Sequence, residues 1–562
     1  MLTLLFLQSC SLFTGNQDKE FSITTPNQPE DSIFPLVDAV VESYGNVTCE
    51  DPQKRTSQPM YRANFGREWN NQPEEGYLGD EFWAGGEGIV VDDLNEDGLL
   101  DIFVPTLDHN LLFFQQSDGS FDERSEMNLP MVDPVRTVGA SVADFDGDDD
   151  LDLFLLNLVT PHQFFENTGD GQFIDRSEYI GIVQDPYDVH YTPGSAWGDP
   201  DNDGDLDLLV LTSGSGPVGP PPWTDAELFE EAGLNRMYMN DSGDGFSLGS
   251  LPNHDPEPYS CCAAFVDMNL DFKEDLYIVN DFGMYVEPNQ LFYAGENFEM
   301  IPDVGSGIDM GMYGMGLAVG AFNGDEYPDF AVSDWKRNWL FLSDGFGDWY
   351  DATQQYGFVS QQPDQHIGWG VEFPDVDNDG DLDIWVGFGH LGLEEEIQVG
   401  FEQEGYYDPR HQPDSLYLQE NGQLIDVADI WGINLDGITR GGVWADLNND
   451  GFLDLIVAAI DGPVKAYLAN CDDSSWIRIQ LRQPDTMNTR AVGARIKVTT
   501  KQGQQLRWIL AGTSLSSSSP LEAHFGLGGV QMIREVEIIW PDETMTILKD
   551  LDVNQTIRVT RE

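Results

Sequence analysis

The chain has 562 residues, too many for one ordinary domain. Its 26 basic and 100 acidic side chains leave a formal net charge of −74, which excludes nucleic acid as a partner and unassisted binding to anionic lipid. A content of 40% hydrophobic and 12% aromatic residues excludes a disordered acidic tail, and no apolar run reaches the length of a membrane-spanning helix.

Residues 1–9 are a short apolar run ending in a small residue. The stretch Leu7-Gln8-Ser9-Cys10 resembles the lipobox of bacterial lipoproteins. That resemblance implies removal of residues 1–9, acylation of Cys10, and membrane attachment through the lipid alone. The basic n-region of that family is absent, which leaves an upstream start or an ordinary secretory signal as alternatives. Residues 10–40, rich in Gln, Asn, Ser, Thr and Pro, read as a flexible tether. Ser11, where Asp does not follow the cysteine, implies by the same resemblance the outer membrane or cell surface. Export would let the remaining Cys49, Cys261, Cys262 and Cys471 form up to two disulfides.

From residue 41 to 473 one pattern recurs seven times, D-x-[DN]-x-D-G-x-x-D. The first copy is Asp93, Asn95, Asp97, Gly98 and Asp101. The second is Asp144, Asp146, Asp148 and Asp152, with Asp149 at the Gly place. The third is Asp199, Asp201, Asp203, Gly204 and Asp207. The fourth is Asp267, Asn269, Asp271 and Asp275, with Phe272 at the Gly place. The fifth has Ala321 for the first Asp, then Asn323, Asp325 and Asp329. The sixth is Asp375, Asp377, Asp379, Gly380 and Asp383, and the seventh Asp446, Asn448, Asp450, Gly451 and Asp454.

Each copy follows an apolar strand and precedes another, such as Ile102-Phe103-Val104 or Leu455-Ile456-Val457, and a third, aromatic strand comes next. The mean interval from Asp93 to Asp446 is about 59 residues, close to a four-stranded propeller blade with insertions. The predicted fold is all-β: a seven-bladed β-propeller followed by a small C-terminal β-domain. Five residues before each loop stand Gly88, Gly139, Gly194, Cys262, Gly316, Gly370 and Gly441, small enough for strands that converge on an axis. An open array of the same units is the alternative.

Together, loops and flanks resemble the FG-GAP/VCBS repeat of integrin α-chain propellers and bacterial surface proteins. Carboxylates at positions 1, 3, 5 and 9 crowd one another, and a cation relieves their repulsion. All-oxygen donors without Cys or His favour Ca²⁺, then Mg²⁺ or Mn²⁺. Position 7 is expected to add a backbone carbonyl: Leu99, Asp150, Asp205, Lys273, Tyr327, Asp381 and Phe452. Up to seven structural calcium sites follow, the fifth weakest for lack of its first carboxylate. For each loop the alternative is a solvated hairpin turn.

Ring closure would bring Cys49 beside Cys471, which predicts a disulfide. Cys261 and Cys262 are expected as a vicinal disulfide or as two small buried side chains. Residues 474–562 alternate as strands at 476–481, 494–498, 536–540 and 556–559. Val492-Gly493-Ala494-Arg495, His524-Phe525-Gly526-Leu527-Gly528 and Val536-Glu537-Ile538-Ile539-Trp540-Pro541 resemble the ASPIC/UnbV domain, which follows FG-GAP repeats in cartilage acidic protein and its bacterial relatives. That resemblance implies extracellular association.

The functional expectation is a monomeric, exported interaction module that binds a protein or glycan partner through loop insertions at 213–225 and 389–413. The alternative is a polysaccharide-active, lyase-like enzyme using a polar channel or rim. For it His190 and His366 are the catalytic candidates, with Arg136 and Arg440 in register. No nucleophile elbow, H-E-x-x-H or P-loop supports it, and structural histidines are the competing reading.

Overall fold

Each acidic loop joins the first two strands of an antiparallel sheet. Val90–Asp92 pairs with Asp101–Val104 around the first loop, and Gly194–Gly198 with Asp207–Leu211 around the third. Third strands such as Leu111–Gln115 and Arg236–Asn240, and short outer strands such as Phe121–Glu123 and Phe246–Leu248, complete four-stranded sheets. This is the computed structural model of the chain. It describes residues 39–46, 61–66, 88–106, 109–130, 136–157, 160–182, 192–213, 234–251, 258–295, 300–335, 337–359, 366–389, 412–459, 464–469 and 474–561.

The expected seven-bladed propeller is present. The first strands are Val90–Asp92, Thr137–Ala143, Gly194–Gly198, Tyr259–Val266, Gly314–Gly320, Gly368–Glu372 and Thr439–Ala445. Each contacts the next, and the seventh contacts the first, so they form a ring. Tyr61–Gly66 pairs with Lys465–Ala469 as the outer strand of the seventh sheet, so residues from before the first blade complete the last. Inner strands such as Asp152–Asn157 are buried on both faces because blades pack against blades, which explains their unbroken apolar runs. Outer strands such as Phe173–Asp175 bury only their first residue.

The small residues before the loops do permit close approach, but against two kinds of neighbour. A Cβ on Gly194, Gly316 or Gly370 would meet the next inner strand, at the carbonyls of Cys261, Trp369 and Arg440. A Cβ on Gly88 or Gly139 would instead meet Ser516, which belongs to the C-terminal domain.

That domain has two four-stranded sheets. One orders Ala39–Asn46, Gln555–Arg561, Ser475–Arg482 and Glu522–Gly528. The other orders Gln504–Trp508, Arg495–Thr499, Ile533–Ile539 and Met545–Leu551. Ala39–Asn46, which the sequence reading splits between tether and propeller, is therefore an edge strand of the C-terminal domain. The domain sits against the loop end of the propeller. Val90, Phe154 and Trp197 share one continuous core with Ile477, Ile496 and Trp540.

The segment from Ile509 to Ser518 runs into the propeller axis. Ser518 N–H donates to Ile89 O, Val91 N–H to Ser518 O, Ala140 N–H to Ser516 O and Trp197 N–H to Ala511 O. Ser516 Oγ donates to Pro193 O at 2.6 Å. Leu515 packs with Cys262, Met315 and Trp369. At this end the axis is occupied by the chain itself, where the enzyme alternative would have a polar channel. Among the described residues no helix is long and apolar enough to cross a membrane.

Candidate metal centres

The loops share one hydrogen-bonding scheme. The position-9 carboxylate ties the loop to the blade. Asp101 accepts Leu94 N–H with one oxygen (3.1 Å) and Gln115 N–H, on the third strand, with the other (2.9 Å). Asp152, Asp275, Asp383 and Asp454 repeat this pair of bonds, and Asp329 does so one residue later, at Asn323. Asp207 is the exception. Position 2 of its loop is Pro200, which has no N–H, so Asp207 Oδ2 is buried without a partner.

The position-1 carboxylates of Asp93, Asp199, Asp267 and Asp446 accept the N–H groups of positions 5 and 6. The position-5 carboxylates accept the position-7 N–H in all seven loops: from Leu99, Asp150, Asp205, Lys273, Tyr327, Asp381 and Phe452. These bonds shape the turn with the protein's own donors and acceptors. Position 6 takes the left-handed region in six loops, and position 4 does so in all seven, a requirement the sequence pattern did not reveal. Asp149 and Phe272 tolerate that conformation in place of Gly, with φ of 75° and 67°. Asp149 pairs with Arg482 and Arg490, which accounts for its presence there.

Carboxylate oxygens converge as expected in three loops. Asp144, Asp146 and Asp152, then Asp199, Asp201 and Asp203, then Asp375, Asp377 and Asp383 each lie within 4.8 Å of one another. These are the loops with Asp at position 3; the others carry the neutral donors Asn95, Asn269, Asn323 and Asn448. Burial, reinforced by neighbouring carboxylates, pushes Asp93 up to about 7, Asp199 to about 8, Asp207 to about 9 and Asp375 to about 7. Asp146 Oδ1, Asp205 Oδ1, Asp375 Oδ1 and Asp381 Oδ1 are also buried without a hydrogen-bond partner. A hard cation fits this set: several oxygens, no sulfur or nitrogen, unsatisfied lone pairs and mutual repulsion. The side chains of Asp205 and Asp381 add carboxylates at a position where the pattern called only for a carbonyl. The fifth loop differs most: Ala321 gives no carboxylate, and Glu326 at position 6 does not take a positive φ.

The C-terminal domain supplies counter-charges and donors to the same loops. Arg490 pairs with Glu96, Thr489 Oγ1 donates to Asp144, and Gly526 N–H donates to Asp375 Oδ2 at 3.0 Å. Lys497 meets Glu326 at 3.4 Å, and Arg478 meets Asp446 at 2.9 Å.

Other candidates fare differently. Cys261 and Cys262 are buried free thiols rather than a vicinal disulfide. Consecutive strand residues point to opposite sides: Cys262 Sγ donates to Met315 O, while Cys261 lies beside Ser213 Oγ. Burial raises both thiols, so neither is a reactive thiolate. His366 is buried against Phe388, and burial pushes it down to about 4. Arg440 is buried, with its guanidinium 3.6 Å over the Trp369 ring. Both are core residues here, not channel lining. Cys10, Cys49, Cys471, His190 and most of the insertions at 213–225 and 389–413 lie outside the described residues.

Comparison with known proteins agrees with this architecture. The FG-GAP-like repeat family matches residues 93–155 and 322–386, and the ASPIC and UnbV family matches residues 484–562. Cartilage acidic protein 1 of Mus musculus is 24% identical over 503 residues, covering 82% of this chain and 71% of its own length. The Homo sapiens protein is also 24% identical over 503 residues, covering 82% and 69%. The extracellular domain of a hybrid two-component system from B. thetaiotaomicron overlaps with a TM-score of 0.40 at 8% identity, covering 90% of this chain and 58% of that one. The chain thus carries FG-GAP-like repeats and an ASPIC/UnbV domain, and it is homologous to cartilage acidic protein 1.

Proposed function

We propose that this protein is a calcium-stabilised propeller, exported and held at the cell surface by a lipid on Cys10, that serves as an interaction module for a protein or glycan partner. The observation that carries the metal assignment is the set of buried, partnerless carboxylate oxygens on Asp146, Asp205, Asp207, Asp375 and Asp381. Ca²⁺ would be held by the first, second, third, fourth, sixth and seventh loops, and it would neutralise charge that the fold otherwise keeps buried. Its role is structural: the ions brace the ends of inner strands and the seat of the C-terminal domain.

Homology to cartilage acidic protein 1, FG-GAP-like repeats and the long second-to-third-strand connections of blades three and six support the extracellular interaction reading. The chain segment at the loop end of the axis and the core positions of His366 and Arg440 weigh against the enzyme alternative. Isothermal titration of the EDTA-stripped chain with Ca²⁺ tests the metal assignment. Several bound ions and a large rise in Tm are expected. A titration without heat or stabilisation overturns it. Pull-down from cell-surface extracts and glycan arrays, each with and without Ca²⁺, tests the partner.

A further inference from the structure

The C-terminal domain does not seal against the propeller everywhere. Between it and blades six and seven lies a cavity of about 130 Å³, half open to solvent. Glu372 and Phe373 line it from blade six, Trp444 and Leu453 from blade seven, and Glu522 and His524 from the C-terminal domain. Its size approaches the roughly 150 Å³ that suffices for a benzene-sized ligand.

Two of these side chains carry acceptors that the protein leaves unused. Glu372 Oε1 is buried without a hydrogen-bond partner. Burial pushes this carboxyl up to about 7, and only the Ser514 hydroxyl of the axial segment offsets that rise; among the described residues no basic side chain compensates its charge. His524 Nε2 lies 3.0 Å from Gly451 O, a carbonyl that can only accept, so Nε2 carries the hydrogen. Burial, helped by nearby Arg478 and Arg507, pushes the ring down to about 3, so it is neutral. His524 Nδ1 is then a bare acceptor, and it too is buried without a partner. Neither arginine lines the cavity: Arg478 pairs with Asp446 and Glu522, and Arg507 lies over the Phe525 ring and faces Asp375 and Asp381.

We infer that this cavity binds a primary alkylammonium group, free or at the tip of a lysine side chain. The inference goes beyond the interaction-module proposal and does not depend on it. Both unused groups accept, so the ligand must donate. An uncompensated carboxyl, on a chain of net charge −74, selects a cation over an anion. Phe373 and Trp444 offer apolar surface to an alkyl stem and ring faces to a charged head. A bare metal ion suits the cavity less well: the ligand atoms of Glu372, Glu522 and His524 do not converge as those of the three carboxylate clusters do.

The test uses the full chain in saturating Ca²⁺ at about 0.15 M salt, which screens the diffuse net charge. n-Butylammonium, the peptide acetyl-Gly-Lys-Gly-amide, tetramethylammonium and n-butanol are compared by saturation-transfer NMR and tryptophan fluorescence. n-Butylammonium should bind roughly tenfold more tightly than tetramethylammonium or n-butanol, which lack the N–H donors or the charge. Glu372→Gln keeps the side-chain volume and should lower that affinity roughly tenfold. Ser519→Leu, at a partly exposed residue of the lining, should lower it by obstruction while leaving both acceptors in place. Asp118→Asn, on an exposed turn of blade one, should leave it unchanged. Peptide binding as tight as that of the free amine assigns a lysine side chain, and its exclusion assigns a free amine; either result supports the site. Equal binding of tetramethylammonium overturns the inference, as does amine binding that survives both Glu372→Gln and Ser519→Leu, or no amine binding at all. The calcium titration is read separately, so its failure would strike the metal assignment alone.

Discussion

Arg478 of the C-terminal domain places its guanidinium 2.9 Å from the carboxylate of Asp446, the first residue of the seventh acidic loop, and both side chains are buried. The same guanidinium donates to Asp446 O and to Asn449 Oδ1, and its Nε lies 3.4 Å from Glu522. A fixed cation from one domain is therefore built into a candidate cation site of the other. Removing it leaves two carboxylates buried without compensation. Arg478→Met should cost about 3–5 kcal/mol in denaturant unfolding. The Arg478→Met/Asp446→Asn pair should recover part of that, with a coupling of roughly 1–3 kcal/mol in a double-mutant cycle. Strictly additive single effects would refute the linkage.

The second prediction concerns pH. Asp93, Asp199, Asp207 and Asp375 lie at about 7, 8, 9 and 7 in the metal-free fold, against 3.8 as the ordinary value. The folded state therefore holds protons that the unfolded chain has released. Their stabilising contribution is full below about pH 4 and is lost as pH rises through 7 to 9. In EDTA, Tm should fall between pH 5 and pH 8. Ca²⁺ bound as proposed would displace those protons, so its affinity should rise over the same range and the Tm profile should flatten when the sites are saturated. Calorimetry at several pH values, with EDTA and with Ca²⁺, checks both arms; a metal-free Tm that climbs towards pH 8 is the contrary result.

How much of this was readable in advance depended on sequence distance. The repeat with its flanks was legible because each blade states its own turn chemistry within about twenty residues, and that sufficed for seven sheets and three carboxylate clusters. Arg478 on Asp446, Thr489 on Asp144 and Ser516 against Gly88 were not legible, because such partners lie up to hundreds of residues apart and no periodic signal joins them. The small residue five before each loop was read as a close-approach residue, yet at Gly88 and Gly139 the neighbour, Ser516, comes from another domain. Position 4 escaped notice because Glu96, Asn202 and Leu270 share a positive φ but no residue type. The consequence of Pro200, an unpaired oxygen on Asp207, needed the hydrogen-bond scheme before it had meaning.

The third prediction separates the loops. The third has partnerless oxygens on Asp205 and Asp207 and no arginine ion pair among the described residues, so it should bind Ca²⁺ most tightly. Asp201→Asn should remove one strong site from the titration. Pro200→Ala supplies an N–H that can satisfy Asp207 Oδ2, and it should weaken that site without abolishing it. If Pro200→Ala strengthens binding, the orphaned oxygen is not a ligand.

The fifth loop should be empty. Restoring its carboxylate with Ala321→Asp is not expected to create a site, because Glu326 keeps position 6 out of the left-handed region. Ala321→Asp/Glu326→Gly, which also frees the backbone, should add one ion to the stoichiometry. The change discards only the exposed Glu326–Lys497 pair at 3.4 Å, worth less than about 1 kcal/mol. A single Ala321→Asp change that gains an ion would show that the side chain alone limits this loop.

The last prediction concerns the axial segment. A Cβ at residue 88 would run into the backbone carbonyl of Ser516, which has no side-chain freedom with which to yield. Gly88→Ala should therefore destabilise by about 3 kcal/mol or partly expel the segment. Ser516→Gly removes only a hydroxyl that donates to Pro193 O, and it relieves a positive φ of 54°, so it should cost less than about 1 kcal/mol. Combining them discriminates the cause: Gly88→Ala clashes with backbone, so Ser516→Gly should not rescue it. Rescue would place the collision in the side chain instead. Because Val90, Phe154 and Trp197 share a core with Ile477, Ile496 and Trp540, a chain ending at residue 473 should expose that core and aggregate. A soluble, monomeric product of that truncation would show that the two domains fold independently.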